Sequence, residues 1–335
     1  SPRGHGAVGM ASNYFSFVVS GFIWKTMTNI KPDYIFMFEV SPMTQCKIGV
    51  WLKEKLRKEG LSVPLYAYIQ DLWPESFAIA LGDSPIVRML LKPLTCMADR
   101  VYKYADSIVA VSRTYVNRAA KVNKKAQIKE SVFLGTDGDI VDGIKSKSGG
   151  EKEKKSLILG YVGNLGRSYD FLNVFKALSI LKKRGIVDIT FILIGDGGER
   201  QRIEEFSKRY YDNIQITGYL PYEEMFAKLL ECDIVINPLV KNSFSSIVNK
   251  VGDYAAAGKA VVNTQNSKEY KLMIEKFNIG FNTIPEDAES IADSIQVLYN
   301  NRELCKKMGK NNRRVFEKYF DRRKTYKKIV DTILD

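Results

Sequence analysis

Short apolar runs alternate with longer amphipathic segments along almost the whole chain, and this alternation limits the folds that the sequence can adopt. The apolar runs have the length of single strands and are rich in branched and aromatic residues, which favour β-structure. Strands that alternate with helices pair in parallel, and the helices cover both faces of the sheet. The sequence therefore predicts an α/β protein with doubly wound parallel sheets. Strands are predicted at residues 32–38, 63–69, 107–111, 156–162, 189–194, 214–217, 233–237 and 260–263.

A polar break at residues 135–155 divides this alternation into two sets. It consists mainly of glycine, lysine, aspartate and serine, so we interpret it as a mobile linker. The predicted organisation is a first domain at residues 1–140, a linker at 141–155, a second domain at 156–318 and a basic helix at 319–335 that crosses back to the first domain. Two Rossmann-like domains of this kind would face each other across a cleft, with the carboxyl ends of their strands toward the ligand.

The charge of the chain indicates an anionic partner. The 335 residues, 45% of them hydrophobic and 27% charged, have the composition of a globular protein with room for two domains. The formal net charge of +13 suits a nucleotide, a phosphorylated substrate or an anionic lipid surface. Basic and aromatic residues do not alternate as they do in nucleic-acid-binding modules, so we expect no nucleic acid partner.

The histidine and cysteine content excludes several kinds of active site. The single histidine, His5, lies in a glycine-rich start that we interpret as a flexible tail. A Ser-His-Asp triad and a metal site with several histidine ligands are therefore both excluded. Asp137-Gly138-Asp139 matches a DxD metal motif, but it lies in the polar break, so we expect neither a metal nor another cofactor. Buried, unpaired thiols are predicted for four cysteines that lie far apart: Cys46, Cys96, Cys232 and Cys305.

The stretch from Ser246 to Val262 has the pattern of a polar loop, a short helix, a glycine and a buried strand. Free backbone N–H groups at the start of such a helix favour an anion such as a diphosphate. Lys250 adds a positive charge in the first turn, where the helix dipole disfavours it unless an anion is close. Asp253, on the same face, can accept hydrogen bonds from ribose hydroxyls. The alternative is an ordinary helix with a solvated start. The predicted amide donors are Ser246, Ile247, Val248 and Asn249.

Three further patterns each allow more than one interpretation. Asp71 and Glu75 follow the second predicted strand, where open α/β sheets place ligand-contacting groups, although a solvated or helix-capping role is the alternative. Residues 11–29 are apolar and aromatic, which fits either a helix buried against the domain or one that lies at a membrane surface. The turn after the strand at residues 156–162 lacks the GxGxxG spacing of an NAD site, but it would bring Arg167 to a phosphate.

Taken together, these patterns resemble the retaining glycosyltransferases of family 4, which have the GT-B architecture. Asp71-Leu72-Trp73-Pro74-Glu75-Ser76 is similar to the WbuB-type transferases of bacterial O-antigen and capsule synthesis. The motifs of the second domain occur in the family's order: Tyr161-Val162-Gly163-Asn164-Leu165-Gly166, Ile194-Gly195-Asp196-Gly197, Thr217-Gly218-Tyr219-Leu220 and the stretch from Asn249 to Val262.

The resemblance implies a role for each matching residue. Arg167 and Lys250 would hold the diphosphate of the donor and stabilise it as the leaving group. Asp253 would bind the ribose, and Asp71 would contact the donor sugar or the acceptor hydroxyl. The remaining donor-site residues implied are Gly163, Asn164 and Gly195, with Tyr219 and Leu220 at the base, and those implied on the acceptor side are Glu39, Ser41 and Glu75.

The implied activity is metal-independent transfer of a sugar from a nucleoside diphosphate sugar, expected to be UDP-linked, to a lipid-linked acceptor. An undecaprenyl diphosphate glycan would suit the basic charge, and an anionic membrane surface would suit residues 11–29. We therefore expect a cytoplasmic protein attached at the inner face of the cytoplasmic membrane.

Two departures from the family pattern stand beside this interpretation. Relatives carry two glutamates eight positions apart, where this chain has Ser245 and Asp253, so the usual sugar contact is in doubt while the second carboxylate is kept. Relatives also begin with a strand and a glycine-rich turn, which we expect to be missing from the first domain here.

Two other functions are alternatives to a transferase. One is a non-catalytic module that binds nucleotide sugars, and the other is a sugar-nucleotide epimerase, against which the single histidine argues.

Overall fold

The computed structural model describes residues 7–39, 43–75, 84–127, 129–147, 156–241 and 247–334. The chain forms two compact units. Unit 1 comprises Ser1–Phe133 and Lys328–Asp335, and unit 2 comprises Leu134–Lys327. The predicted site residues Ser41 and Ser246, and Ser245 at the position of the family's first glutamate, lie outside the described residues.

Unit 1 contains a sheet of four parallel strands whose spatial order follows the chain: β1 Ile35–Glu39, β2 Leu65–Ile69, β3 Ser107–Ala110 and β4 Lys129–Ser131. The register pairs Glu39 with Ile69, and the amide of Gln70 donates to the Glu39 carbonyl at 2.9 Å. The polar residues after β1 and β2 therefore share one edge of the sheet. The helices are α1 Ala7–Met27, α2 Lys47–Lys58, α3 Pro85–Leu90, α4 Lys92–Tyr104 and α5 Arg113–Val122, with a 3₁₀ turn at Met43–Cys46.

Helix α1 is held to unit 1 along one face only. The ring of Phe22 packs edge-on against Trp51 at a centroid distance of 5.2 Å, and Gly21 lies directly against the Ile48 side chain. Much of its remaining surface is apolar and exposed, which differs from a fully buried helix: Phe15, Phe17, Val19, Ile23, Trp24 and Met27. No helix in the part of the chain that the structure describes is long and apolar enough to cross a membrane.

Unit 2 contains a six-stranded parallel sheet with the order β10-β9-β8-β5-β6-β7. The strand order reverses between β5 and β8, and such a reversal opens a crevice at the carboxyl ends of the strands. The strands are β5 Leu157–Val162, β6 Ile189–Ile194, β7 Ile214–Ile216, β8 Ile234–Asn237, β9 Ala260–Asn263 and β10 Gly280–Asn282. The four central strands, β9, β8, β5 and β6, are almost entirely buried and mostly apolar, as a sheet covered on both faces requires, whereas the edge strands β7 and β10 are only partly buried.

The helices of unit 2 connect these strands in the way that the alternation predicts. They are α6 Gly138–Lys147, α7 Phe171–Lys183, α8 Arg200–Tyr210, α9 Tyr222–Glu231, α10 Lys250–Ala257, α11 Lys268–Phe277, α12 Ala288–Asn300, α13 Arg302–Val315 and α14 Arg322–Leu334, with a π-helical turn at Phe316–Phe320 before α14. The last residues of α14 fall within unit 1.

The predicted linker is partly wrong, because residues 138–147 form helix α6 in unit 2. Val141 is fully buried in this helix, and its burial stabilises a segment whose composition looks polar. The Asp137 carboxylate accepts hydrogen bonds from the amides of Asp139 and Ile140 at 3.1 and 3.3 Å. The DxD triplet is therefore the start of a helix, where Asp137 acts as its cap.

The prediction of buried thiols is correct for Cys46, Cys232 and Cys305. It is wrong for Cys96, which is exposed on α4. No disulfide joins these four cysteines, all of which lie in the described part of the chain. Spacing alone indicates that disulfides are absent, but it does not report which face of an amphipathic helix a cysteine occupies.

Candidate functional site

Helix α10 is fixed at the point where the strand order of unit 2 reverses. The buried Tyr254 hydroxyl donates to the carbonyl of Ile236 in β8 and accepts from the amide of Val162 in β5, both at 3.1 Å. Gly258 ends the helix with φ +67° and ψ +47°, a left-handed conformation that favours glycine. The helix begins at Lys250, later than the predicted start at Ser246.

Lys250 is a buried lysine that lies beside two tyrosine rings. Its residue is 8% exposed, and its Nζ has no hydrogen-bond partner among the described residues. The nitrogen lies 3.8 Å from the ring centroid of Tyr161 and 3.8 Å from that of Tyr169. Burial lowers the pKa of Lys250 well below its usual value, against the opposing charge of Asp253. Aromatic faces stabilise a cation only in part, so an anion that reached this ammonium would be bound strongly.

Two glycine turns lie against each other beside Lys250. Gly163 has φ +127° and Gly195 has φ +143°, and a Cβ on Gly195 would lie 2.1 Å from the Gly163 carbonyl oxygen. A Cβ on Gly163 would lie 3.1 Å from Lys250 Nζ. Only glycine therefore permits both turns and their approach to the ammonium. The structure brings the predicted residues Gly163, Gly195 and Lys250 together.

Asp253 is held by two hydroxyl groups that the sequence interpretation missed. Thr136 Oγ1 and the Tyr222 hydroxyl both donate to Asp253 Oδ1, at 2.8 and 3.3 Å. Burial raises the pKa of Asp253 to about 6, while these two hydrogen bonds and the charges of Arg322 and Lys250 oppose the shift. Thr136 belongs to the polar break and lies 117 positions from Asp253 in the sequence. Local sequence patterns cannot predict a contact over this distance.

Other predicted donor-site residues lie at the surface of unit 2. The Arg167 side chain is 92% exposed, and its Nε donates to Glu199 at 3.2 Å. Tyr219 is 86% exposed, Leu220 is partly buried, and Asn164 is exposed with its carbonyl oxygen bound by the Tyr161 hydroxyl at 2.7 Å.

The segment before α10 forms tight turns. The amides of Val251 and Gly252 donate to the carbonyls of Val248 and Asn249, both at 3.0 Å, so these two amides are already paired. Ile247 and Val248 are partly buried, and Asn249 is exposed and makes no side-chain cap.

Unit 1 has its own group of buried polar side chains at the carboxyl ends of β1 and β2. Glu39 is fully buried, and its Oε2 accepts from the amide of Asp71 at 3.3 Å, whereas Oε1 has no partner in the described parts of the chain. Burial, with smaller contributions from the charges of Asp71 and Glu75, raises the pKa of Glu39 to about 8, and the hydrogen bond from the Asp71 amide opposes this shift. In the described residues of unit 1, the other buried side-chain atoms without a hydrogen-bond partner are Thr44 Oγ1, Trp73 Nε1, Glu75 Oε2, Asp99 Oδ1 and the Tyr102 hydroxyl.

Arg118 supports this group from α5. Its guanidinium pairs with the carboxylates of Glu75 and Asp99. Glu75 is therefore a partly buried, paired charge, and its Oε2 has no hydrogen-bond partner among the described residues. In the residues that the structure describes, no three His, Cys, Asp or Glu side chains are grouped as a metal site would need.

Comparison with known proteins identifies the family. The family model of the glycosyl transferases group 1 matches residues 144–315, just over half of the chain. An uncharacterized glycosyltransferase of Methanocaldococcus jannaschii, MJ1069, is 25% identical over 240 residues, which are 70% of this chain and 60% of the relative. The chain thus spans less than two thirds of the length of that relative.

Solved structures show the same fold at low sequence identity. Anabaena Alr3699/HepE in complex with UDP has a TM-score of 0.70 at 16% identity, over 95% of this chain and 81% of that one. The same protein was also solved with UDP and glucose and with UDP-glucose. The α,α-trehalose 6-phosphate synthase of Burkholderia multivorans has a TM-score of 0.71 at 12% identity, over 98% and 77% of the two chains.

The two parallel sheets and these structural neighbours establish the GT-B fold. The expectation drawn from the motifs of unit 2 is confirmed at the level of the family, since the family model covers the segment that contains them. The chain belongs to the glycosyl transferases group 1, a family of transferase enzymes.

Proposed function

We propose that this protein transfers a sugar from a UDP-sugar, with retention of configuration, to a lipid-linked glycan such as an undecaprenyl diphosphate acceptor. In this proposal it acts in the synthesis of a bacterial surface polysaccharide, in the manner of the WbuB-type transferases of family 4 that its Asp71–Ser76 motif resembles. The observation that carries the proposal is the buried Lys250 ammonium, which has no hydrogen-bond acceptor among the described residues and lies beside two glycine turns.

The diphosphate of the donor would supply the anion that Lys250 lacks. Transfer of the sugar breaks the bond between its anomeric carbon and the diphosphate oxygen, so negative charge grows on the diphosphate as it leaves. An ammonium that is already desolvated stabilises such charge more strongly than one in water. Arg167, which is exposed and bound only at Nε by Glu199, would reach the same diphosphate from the surface.

The nucleoside part of the donor would bind along the same edge of unit 2. Asp253 would accept hydrogen bonds from the ribose hydroxyls, and the exposed Tyr219 with Leu220 would pack on the base. The choice of UDP is supported by HepE, which was solved with UDP and with UDP-glucose.

The acceptor would bind to unit 1. Sugar hydroxyls both donate and accept hydrogen bonds, and the buried groups at the ends of β1 and β2 offer both kinds of partner. Glu39 and Glu75 carry oxygens without partners in the described residues, and Trp73 and Tyr102 carry free donors there. Asp71, whose amide is fixed by Glu39, would contact the reacting hydroxyl.

Attachment to a membrane would bring the lipid-linked acceptor to the enzyme. Phe15 and Met27 on α1 are 73% and 76% exposed, and Trp24 with Lys25 suits the level of lipid headgroups. The net charge of +13 favours an anionic surface. The protein would therefore lie on the inner face of the cytoplasmic membrane as a peripheral protein.

The donor site is tested by calorimetric titration of UDP into the wild type and Lys250→Met. We expect the variant to lose at least about 100-fold in affinity, because a buried charge contact to phosphate is removed. Lys208→Met, which changes an exposed lysine on α8, is the matched control and should bind as the wild type does. Equal affinity in all three proteins would remove Lys250 from the site.

Catalysis and attachment need separate measurements. Hydrolysis of a panel of UDP-sugars, with mass spectrometry of products formed on a lipid diphosphate acceptor, distinguishes an enzyme from a binding module, since a pure binder turns over none.

Flotation with phosphatidylcholine vesicles, with and without phosphatidylglycerol, tests whether the protein attaches to a membrane. Phe15→Ser with Met27→Ser should abolish flotation, whereas Ile284→Ser, at another exposed apolar side chain, should not. Flotation that depends neither on the lipid charge nor on the two α1 substitutions would refute attachment through this helix.

A further inference from the structure

The two chain segments that connect unit 1 with unit 2 are paired with each other. The amide of Thr136 donates to the Phe320 carbonyl at 2.8 Å, and the amide of Arg322 donates to the Thr136 carbonyl at 3.0 Å. Arg322 Nε also donates to the Gly135 carbonyl at 3.2 Å. These residues lie close in sequence to the boundaries at 133/134 and 327/328, where the chain passes from one unit to the other. The two connections therefore behave as one hydrogen-bonded element.

This paired element is joined to α10 through one side chain. Thr136 is buried, and its hydroxyl donates to Asp253 Oδ1 at 2.8 Å. A Cβ at position 252 would lie 2.9 Å from Thr136 Oγ1, so the close approach depends on Gly252. The hydroxyl of Tyr222, at the start of α9, donates to the same Oδ1 at 3.3 Å.

The arrangement orients the carboxylate for a ligand. Both protein hydroxyls donate to Oδ1, so Oδ2 is left to accept from hydroxyl groups of a ligand. A carboxylate held at one oxygen loses less rotational freedom when it binds a second donor, which strengthens that bond. Conversely, a donor that engages Asp253 from the ligand side restricts Thr136 and the segments paired with it.

We propose that Thr136 is a positioning residue of the nucleotide site, which orients Asp253 for the ribose and couples nucleotide binding to the paired connections. The inference rests on the proposed function, because it takes Asp253 to be the ribose ligand. Thr136 itself touches no substrate in this proposal.

Titration of UDP into the wild type, Thr136→Val and Thr136→Ser tests the positioning role of Thr136. Thr136→Val keeps the shape and removes the hydroxyl, and we expect about a 10-fold loss of affinity, the effect of one hydrogen bond to a charged group. The pH midpoint of binding should also move upward, because Asp253 loses a donor that favours its ionised form. Thr136→Ser should restore both values. The titration of UDP itself is common to all three proteins and cancels in the comparison.

Tyr222→Phe provides a second test if Thr136→Val fails to fold. Tyr222 is 38% exposed, and the variant removes only the weaker donor, so we expect a smaller upward shift of the same midpoint.

Hydrogen exchange tests the coupling between nucleotide binding and the paired connections. Saturating UDP should slow exchange of the amides of residues 136 and 322 in the wild type and not in Thr136→Val. Thr136→Val with wild-type affinity and midpoint overturns this inference alone. A wild type that binds no UDP overturns the proposed function, and this inference with it.

Discussion

The ammonium nitrogen of Lys250 lies 3.8 Å from the centre of the Tyr161 ring, inside unit 2 and without a hydrogen-bond acceptor in the described residues. The ring lowers the cost of burying the charge but does not remove it. Burial lowers the pKa of Lys250 for the same reason. In the proposed function, the residue decreases the stability of the unit and would increase its affinity for an anion.

Lys250→Met should separate these two effects. Methionine fills a similar volume without a charge, so we expect the free energy of unfolding at pH 7 to rise by roughly 1–4 kcal/mol. Urea denaturation measures this change, and Lys208→Met serves as the control for loss of a surface lysine. A stabilised protein that no longer binds UDP identifies a residue kept for function. Destabilisation with UDP affinity intact would show that Lys250 has a structural role.

The affinity for UDP should fall as the pH is lowered through about 6. The pKa of Asp253 is raised to about 6, so the carboxylate that we propose to accept from ribose becomes protonated below this pH. Calorimetry of the wild type against Asp253→Asn isolates this step, because the ionisation of UDP is shared by both. The ratio of the two affinities should be large above the pKa and shrink below it. A ratio that does not change with pH would exclude Asp253 as the titrating group.

Glu39→Gln should stabilise the protein at alkaline pH. The pKa of Glu39 is raised from 4.5 to about 8, so the folded state holds a proton that the unfolded state releases. Stability is therefore lost as the pH rises from 4.5 to 8, and the glutamine variant avoids this loss. We expect a gain of roughly 2–4 kcal/mol at pH 8.5 and almost none near pH 4.5, by urea denaturation. Glu303→Gln, at an 87% exposed side chain, should show no such dependence.

Cys96 should be the single thiol that reacts in the folded protein. It is exposed, whereas burial raises the pKa of Cys46 to about 12 and that of Cys305 to about 11, and Cys232 is buried. Alkylation at pH 8 followed by mass spectrometry should add one group to the native wild type and four in urea. Native Cys96→Ser should take up none. Rapid labelling of Cys46 would show that the buried polar group around Glu39 opens to solvent.

The sequence by itself was sufficient for the class of fold. Apolar runs of strand length that alternate with amphipathic helices specify parallel sheets, because the pattern depends on the faces that neighbouring residues present. The same local information placed Lys250 and Asp253 on one short helix and predicted glycine turns near Gly163 and Gly195. It failed for residues 138–147, where a polar composition concealed a helix fixed by the burial of Val141.

Only the tertiary structure decided which groups surround those residues. Lys250 contacts two tyrosine rings from the segment after Ser156, and Asp253 is bound by a threonine 117 positions away. Such contacts arise when a sheet and its helices pack, and the energies of burial and hydrogen bonding that select them act between segments distant in sequence. Periodicity reports the face that a side chain occupies. It contains no information about what packing places against that face. Here burial lowers the pKa of Lys250, and two hydroxyl groups hold the Asp253 carboxylate.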